Sequence, residues 1–368
     1  MKTHWWKLGL SVIVLTSLLG MGSNVTVIAQ QAEPPATAVS LAAPVLQNPG
    51  FDNNRWYEFR DRYGTWLVGS WVPDDDDGQR LQDWRLWYMR GTPLPKSFAE
   101  SSIIHAGVES VALRTYDGNV QEGGLYQVIY NVTPCLHYQF QMHGLSRPDD
   151  GLPNPAAQLR VGIDPTGWHT NPLVDPALPG YYPESIVWSA PQDFKSNFGL
   201  LQVTAEARSD KVTVYTRGFA YGGVRHAIVW DTGAFQEATP AMLHDPNALP
   251  APAIAPPTAI PGRTSAQINW STAALGSAVS QVYYALRPVN GEPPPDYPNK
   301  VYLPLVMGGT PPTWTPSPIN KTPTTSHSVT LTGLLPGRTY DYVVVSRGVS
   351  GGACTTWVSA AQQFTTTP

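Results

Sequence analysis

The chain has 368 residues, 14% of them charged and 11% aromatic, with 37 prolines, 32 glycines, 13 tryptophans and two cysteines. Pro and Gly make up roughly 19% of it against the roughly 12% of average usage; both break helix interiors, which excludes a helical bundle, while 42% hydrophobic residues exclude a wholly disordered chain. A formal net charge of −4 gives no basic footprint for nucleic acid, and two cysteines cannot staple a small disulfide scaffold.

The N-terminus carries a targeting signal. Lys2 and Lys7 flank the start of an apolar stretch, Leu8 to Met21, and Val27-Ile28-Ala29 offers a cleavage site. Residues 1–29 therefore read as a secretory signal peptide, too short and wrongly flanked for a membrane span. No later stretch is long and apolar enough to cross a bilayer, so the expected mature protein is secreted or held at the cell surface. Residues 30–43 are a leader rich in Ala and Pro.

A dense block, 44–237, follows. Thr65 to Val72, Gln127 to Val132, Leu159 to Ile163 and Lys211 to Thr216 alternate β-branched or aromatic residues with polar ones. Gly, Pro, Asp and Asn punctuate them at short intervals, so the block reads as strands and turns. Trp56, Trp66, Trp71, Trp84, Trp87 and Tyr88 crowd into its first part. On one strand Trp84 and Tyr88 share a face while Trp87 points the other way, so the cluster cannot be all core or all surface. Asp74 to Asp77 before Gly78 fails the EF-hand spacing, because Pro73 and Trp84 fall at the first and twelfth places; it reads as a solvated acidic turn. A Pro/Ala-rich stretch, 238–262, reads as a semi-rigid linker. The last block, 263–368, is again β, interrupted by a Pro-rich insertion, 288–325, that contains Val301-Tyr302-Leu303-Pro304-Leu305-Val306-Met307. The expected class is all-β: two sandwiches in series.

Cys135 and Cys354 fall in different blocks. They are read as two buried or half-buried thiols, because a bridge needs close, aligned Cα positions. The alternative, a bridge, would clamp the two blocks together.

Particular motifs carry a resemblance. Asn48-Pro49-Gly50-Phe51-Asp52, His105-Ala106-Gly107-Val108, Gly124-Leu125-Tyr126-Gln127-Val128, Val132-Thr133-Pro134, Gly162 to Gly167, Val187-Trp188-Ser189 and Val229-Trp230-Asp231 occur in that order. Together they resemble the galactose-binding-like jelly-roll carbohydrate-binding modules. Cys135 stands where that family usually has Gly, and Thr232 where a second Asp is common. The resemblance implies a jelly-roll β-sandwich and a structural calcium joining the first and last strands, with Asp52 and Asp231 at the matching positions. The reading without a metal is two turn aspartates bonded to nearby backbone. In the last block, Ser265 to Ser271 with Trp270, and Leu331-Thr332-Gly333-Leu334-Leu335-Pro336-Gly337-Arg338-Thr339-Tyr340-Asp341-Tyr342, resemble fibronectin type III. That implies a second sandwich in which Tyr340 is a corner tyrosine with its hydroxyl on backbone.

No zincin or P-loop motif and no paired-Cys motif is present. The expectation is a non-catalytic carbohydrate-binding accessory protein whose partner is a polysaccharide or glycan. The alternatives are a cell-surface adhesion or structural protein that binds another protein, and a glycoside hydrolase with a facing carboxylate pair. Flat aromatics cover the C–H faces of sugar rings while polar neighbours bond the hydroxyls. Trp168, beside His169 in a Gly/Pro-rich loop, and Trp84, Tyr88 and Trp71 are the candidate binding residues.

Overall fold

Short alternating segments between turn residues give strands, and the computed structural model contains only strands and turns among its described residues, which are 43–51, 59–60, 66–67, 84–90, 96–99, 103–107, 110–114, 121–148, 157–167, 185–220, 226–244, 250–288, 301–302 and 313–368. The signal peptide, most of the leader, the acidic turn, Asp52, Trp71 and Trp168 lie outside them.

The first block contains β1 (Phe59–Arg60), β2 (Trp66–Leu67), β3 (Arg85–Arg90), β4 (Lys96–Ala99), β5 (Val111–Arg114), β6 (Gln121–Tyr130), β7 (His137–Pro148), β8 (Ala157–Asp164), β9 (Val187–Trp188), β10 (Gly199–Glu206), β11 (Lys211–Ala220) and β12 (His226–Glu237). Apart from the β1–β2 pair, they form two five-stranded sheets, β10-β7-β12-β5-β4 and β3-β6-β11-β8-β9. Strand periodicity puts alternate residues on opposite faces. Phe140, Met142, Leu201, Ile228 and Trp230 from the first sheet therefore meet Leu125, Ile129, Val161, Ile163 and Val214 from the second in one buried layer.

The second block contains β13 (Thr258–Pro261), β14 (Ser265–Ser271), β15 (Ala278–Leu286), β16 (Val301–Tyr302), β17 (Thr313–Pro316), β18 (Asn320–Thr324), β19 (Ser326–Thr332), β20 (Thr339–Ser350), β21 (Ala353–Val358) and β22 (Gln362–Thr365). A three-stranded sheet, β13-β14-β19, faces a larger one built on β16-β17-β15-β20-β21, with β18 also on β15 and β22 also on β20. Ile268, Trp270 and Leu331 pack against Val282, Tyr342, Val344 and Phe364. Trp270 is a core residue whose indole N–H donates to Ser346 Oγ at 2.9 Å. Tyr340 is buried, and its hydroxyl accepts the Leu335 N–H at 2.8 Å, the backbone cap expected of it.

The stretch 238–262, expected as a linker, is engaged over much of its described length. Leu243 and Ile254 are buried, and Thr258–Pro261 is a strand of the second sandwich. The reason is β15, which is buried on both faces and so reads as a near-continuous apolar run. Its residues Val279, Tyr283 and Ala285, with Val343, Val345 and Trp314, share a buried cluster with the first sandwich, joined by Phe235 and Met242. Gln281 is the polar pin of this junction. Its Oε1 accepts from Leu243 N–H and Tyr283 O–H, and its Nε2 donates to Ala241 and Ser317 carbonyls. All four capacities of the amide are used, which permits full burial. Residues 42–368 accordingly form one unit rather than two tethered ones.

The cysteine expectation is corrected. Cys135 and Cys354 are disulfide-bonded, with Cα atoms 5.5 Å apart, within the range a bridge requires. Val132-Thr133-Pro134-Cys135-Leu136-His137-Tyr138 and Leu334-Leu335-Pro336-Gly337-Arg338-Thr339-Tyr340 form the same corner, one in each sandwich. In the first, Thr133 N–H donates to the Tyr138 hydroxyl at 2.8 Å, as Leu335 does to Tyr340. Cys135 and Gly337 occupy the same place with the same φ, 64°. The corner demands a left-handed residue, ordinarily Gly; the first sandwich uses Cys there and ties it to the second. Near the bridge, Arg347 Nε donates to Glu206 Oε1 at 2.7 Å.

Candidate functional site

The outer face of the β3-β6-β11-β8-β9 sheet carries a second layer of aromatics. Because Leu125, Val214 and Val161 point into the core, their neighbours Tyr126, Tyr215, Arg217, Gly162 and Arg160 point outward. Register aligns Tyr126 with Tyr215, Tyr215 with Gly162, and Gly162 with Trp188 across four strands. Tyr126 and Tyr215 stack with centroids 6.0 Å apart, and Trp188 lies 6.0 Å from Tyr215. Trp188 can pack this close because residue 162 is Gly; a Cβ would come within 2.7 Å of its ring.

Trp87 is anchored by a second close approach. It pairs with Gly124, and its indole N–H donates to the Thr216 carbonyl at 3.0 Å. A Cβ on Gly124 would sit 1.9 Å from that same oxygen. Leu125 N–H turns to Thr216 Oγ1 instead, at 2.9 Å. Trp87, Tyr126, Tyr215 and Ile186 make a small core of their own, with Trp188 half-buried against it. Burial, and secondarily the Asp164 carboxylate, pushes the Tyr215 phenol up, so it stays neutral.

Polar groups border this floor. Arg217 Nε donates to Glu122 Oε1 at 3.0 Å, and an Nη contacts the same oxygen. Their side chains are only 15% and 5% exposed, so either residue alone would be a costly buried charge. Arg160 pairs across from Arg217 and Gln158 from Phe219. Arg160, Gln158, Phe219 and Trp188 are half-buried, forming the accessible part of the face.

The predicted residues distribute as follows. Trp84 is a correction: it is fully buried between Phe51 and Phe140, with its indole N–H on the Asn48 carbonyl, so it is core and not a sugar platform. Tyr88 lies on β3, and Trp168 and Trp71 lie outside the described residues. Trp87 and Trp84 do fall on opposite faces, as their spacing requires. Missed as site residues were Trp188, Tyr126, Tyr215 and Arg160. The available signal was the run Val212 to Thr216, whose two alternating sets are both made only of β-branched or aromatic residues, as a strand covered on both faces would be.

The calcium expectation meets a different chemistry at Asp231. Its Oδ2 accepts the N–H groups of His105 and Ala106, and its Oδ1 accepts Thr232 N–H and Oγ1–H. Four donors fill the lone pairs of both oxygens, and N–H dipoles present their positive ends where a cation would sit. Asp231 thus does not fit a calcium ligand; it ties residues 105–106 to β12. Thr232, at φ 46°, occupies the bulge that makes this possible. Among the described residues no group of three or more His, Cys, Asp or Glu side chains is placed to hold a metal.

No protein-family model matches the chain, and no curated protein matches it. Among solved structures, a CBM61 module in complex with β-1,4-galactotriose is similar over 53% of this chain and 99% of its own, at 10% identity and a TM-score of 0.33. The tandem CBM22 domains of Paenibacillus barcinonensis Xyn10C are similar over 88% of this chain and 90% of theirs, at 10% identity and a TM-score of 0.31. Chicken contactin CNTN1 FN1–FN3 domains are similar over 74% and 86%, at 11% identity and a TM-score of 0.26.

Proposed function

We infer that the protein is an exported, non-catalytic carbohydrate-binding protein, made of a jelly-roll module that carries the site and a fibronectin type III-like module that braces it. The observation that carries this reading is the outer face holding half-buried Trp188, Arg160 and Gln158 over a fixed aromatic floor. A flat indole beside a guanidinium and an amide is the chemistry that grips a sugar ring by its C–H face and its polar edge. The ordered motifs from Asn48 to Asp231 support the jelly-roll assignment. The disulfide supports export, because such bonds persist in oxidising compartments.

The test is retention of the full chain on a panel of immobilised polysaccharides, with Trp188→Ala as the variant. Retention on some polymer that falls at least tenfold in Trp188→Ala, with an unchanged melting temperature and no reducing ends released, is expected. Failure to bind any glycan refutes the reading. A structural role is the second reading, and the near-complete burial of Trp87, Tyr126 and Tyr215 favours it, since a purely structural second core is buried in the same way.

A further inference from the structure

We propose that β10 pairs edge to edge with β10 of a second copy of this chain, joining two first sandwiches about a two-fold axis through Gln202. β10 ends the sheet β10-β7-β12-β5-β4. On its inner side the pairing with β7 runs from Gly199 to Glu206 without a shift. Ser146 N–H donates to the Phe194 carbonyl and Ala207 N–H to the Leu136 carbonyl, so the even-numbered residues of β7 are the ones that bond toward β10. Their partners Gly199, Leu201, Val203 and Ala205 bond inward, and antiparallel alternation turns the N–H and C=O groups of Leu200, Gln202 and Thr204 outward. These three residues are exposed, and their outward backbone groups have no partner among the described residues. Such a row of N–H and C=O groups is a template for another extended strand.

Every other terminal strand of the two sandwiches is protected. β4 carries Lys96 and β13 carries Pro261, β3 shifts register between Tyr88 and Arg90, and β9 and β16 are two residues long. Thr324 Oγ1 bonds both backbone groups of Ser326 at the start of β19. β21 is held by the Cys354 bridge and by Ala253 and Ile254 N–H groups on the Val358 carbonyl. β10 has no such device, for Gly199 to Ala205 contains no charge and no Pro. The same neutrality selects a second copy as the occupant. In the antiparallel register centred on Gln202, this residue opposes Gln202 of the second copy, and Leu200 opposes Thr204. Each pair exchanges both backbone hydrogen bonds, the two side-chain amides bond reciprocally, and no like charges meet. Leu201 and Val203, buried at the margin of the core, oppose each other on the inner side. A two-fold contact of this kind closes on itself. The inference is independent of the carbohydrate reading, since Trp188 lies on the other sheet.

The test is sedimentation of the full chain across a micromolar concentration series. A monomer–dimer equilibrium is expected, weak as suits a small contact. Gln202→Lys and Gln202→Glu each set like charges face to face at the axis, and each is expected to weaken association at least tenfold. An equimolar mixture of the two is expected to restore it. Gln202→Pro removes an outward N–H that β7 does not use and is expected to abolish the dimer. Melting curves of each variant separate lost pairing from lost fold, and the charge variants report even where Gln202→Pro fails to fold. A wild type that stays monomeric throughout overturns the proposal and leaves the edge to a strand of another protein. A dimer that persists in all three variants also overturns it. Weakening by both charges with no rescue in the mixture overturns the two-fold register about Gln202.

Discussion

Cys135 offers the sharpest test of the architecture, because two opposed effects meet in one residue. Its φ of 64° is the left-handed conformation that Gly337 adopts at the matching corner. A side chain there costs about 1–2 kcal/mol. Its disulfide closes a loop between residues 219 apart, and cross-linking a loop that long removes unfolded-state entropy worth about 5 kcal/mol. The bond thus outweighs the strain several-fold. With Cys354→Ala as a common background to prevent mispairing, Cys135→Gly should be about 1 kcal/mol more stable than Cys135→Ala, and both should fall several kcal/mol below the oxidised wild type. Urea unfolding midpoints of the three full-length proteins measure this. If the Gly and Ala variants unfold at the same urea concentration, the corner does not impose the left-handed backbone. If reducing the wild type leaves its midpoint unchanged, the bridge does not constrain the unfolded chain.

Gly124→Ala should destabilise by about 3 kcal/mol, near the top of the range for overpacking, because the new methyl meets the Thr216 carbonyl; loss of the Trp87 near-ultraviolet dichroism signal would accompany it in a thermal melt. Gln281→Leu strips partners from Leu243 N–H and from two carbonyls, at about 1–3 kcal/mol for each group left buried, and should raise hydrogen exchange in residues 241–244 first. His327 is buried against Trp270, with Nε2 on Thr272 Oγ1, and burial pulls its pKa from 6.5 down to about 4. The unfolded chain then binds the extra proton between those values, so stability is full above about pH 6.5 and falls by up to about 3 kcal/mol as pH drops to 4. His327→Gln should flatten that part of a stability-against-pH curve; an unaltered slope would count against it. Because Asp231 is filled by N–H and O–H donors, a chelator should leave the melting temperature unchanged, whereas Asp231→Ala should lower it.

Much of the fold is legible in local sequence. Turn residues every few positions and alternating apolar sets demand strands, and a strand's period of two already separates Trp84 from Trp87. The two corner tyrosines are local as well, since each hydroxyl reaches backbone only five residues away. Alternation says that a residue faces one side of a sheet, but not whether that side meets core, solvent or another module. Tertiary structure alone decided that Trp84 is core, that β15 is covered on both faces, and that Trp188 lies over Gly162 beside Arg160. It also decided the disulfide. Cys in a place that usually holds Gly looks like a flaw in the corner until Cys354, 219 positions on, is brought within 5.5 Å of it. Such pairings depend on how whole sheets stack, which is set by the sum of many weak contacts and not by the neighbours of any one residue.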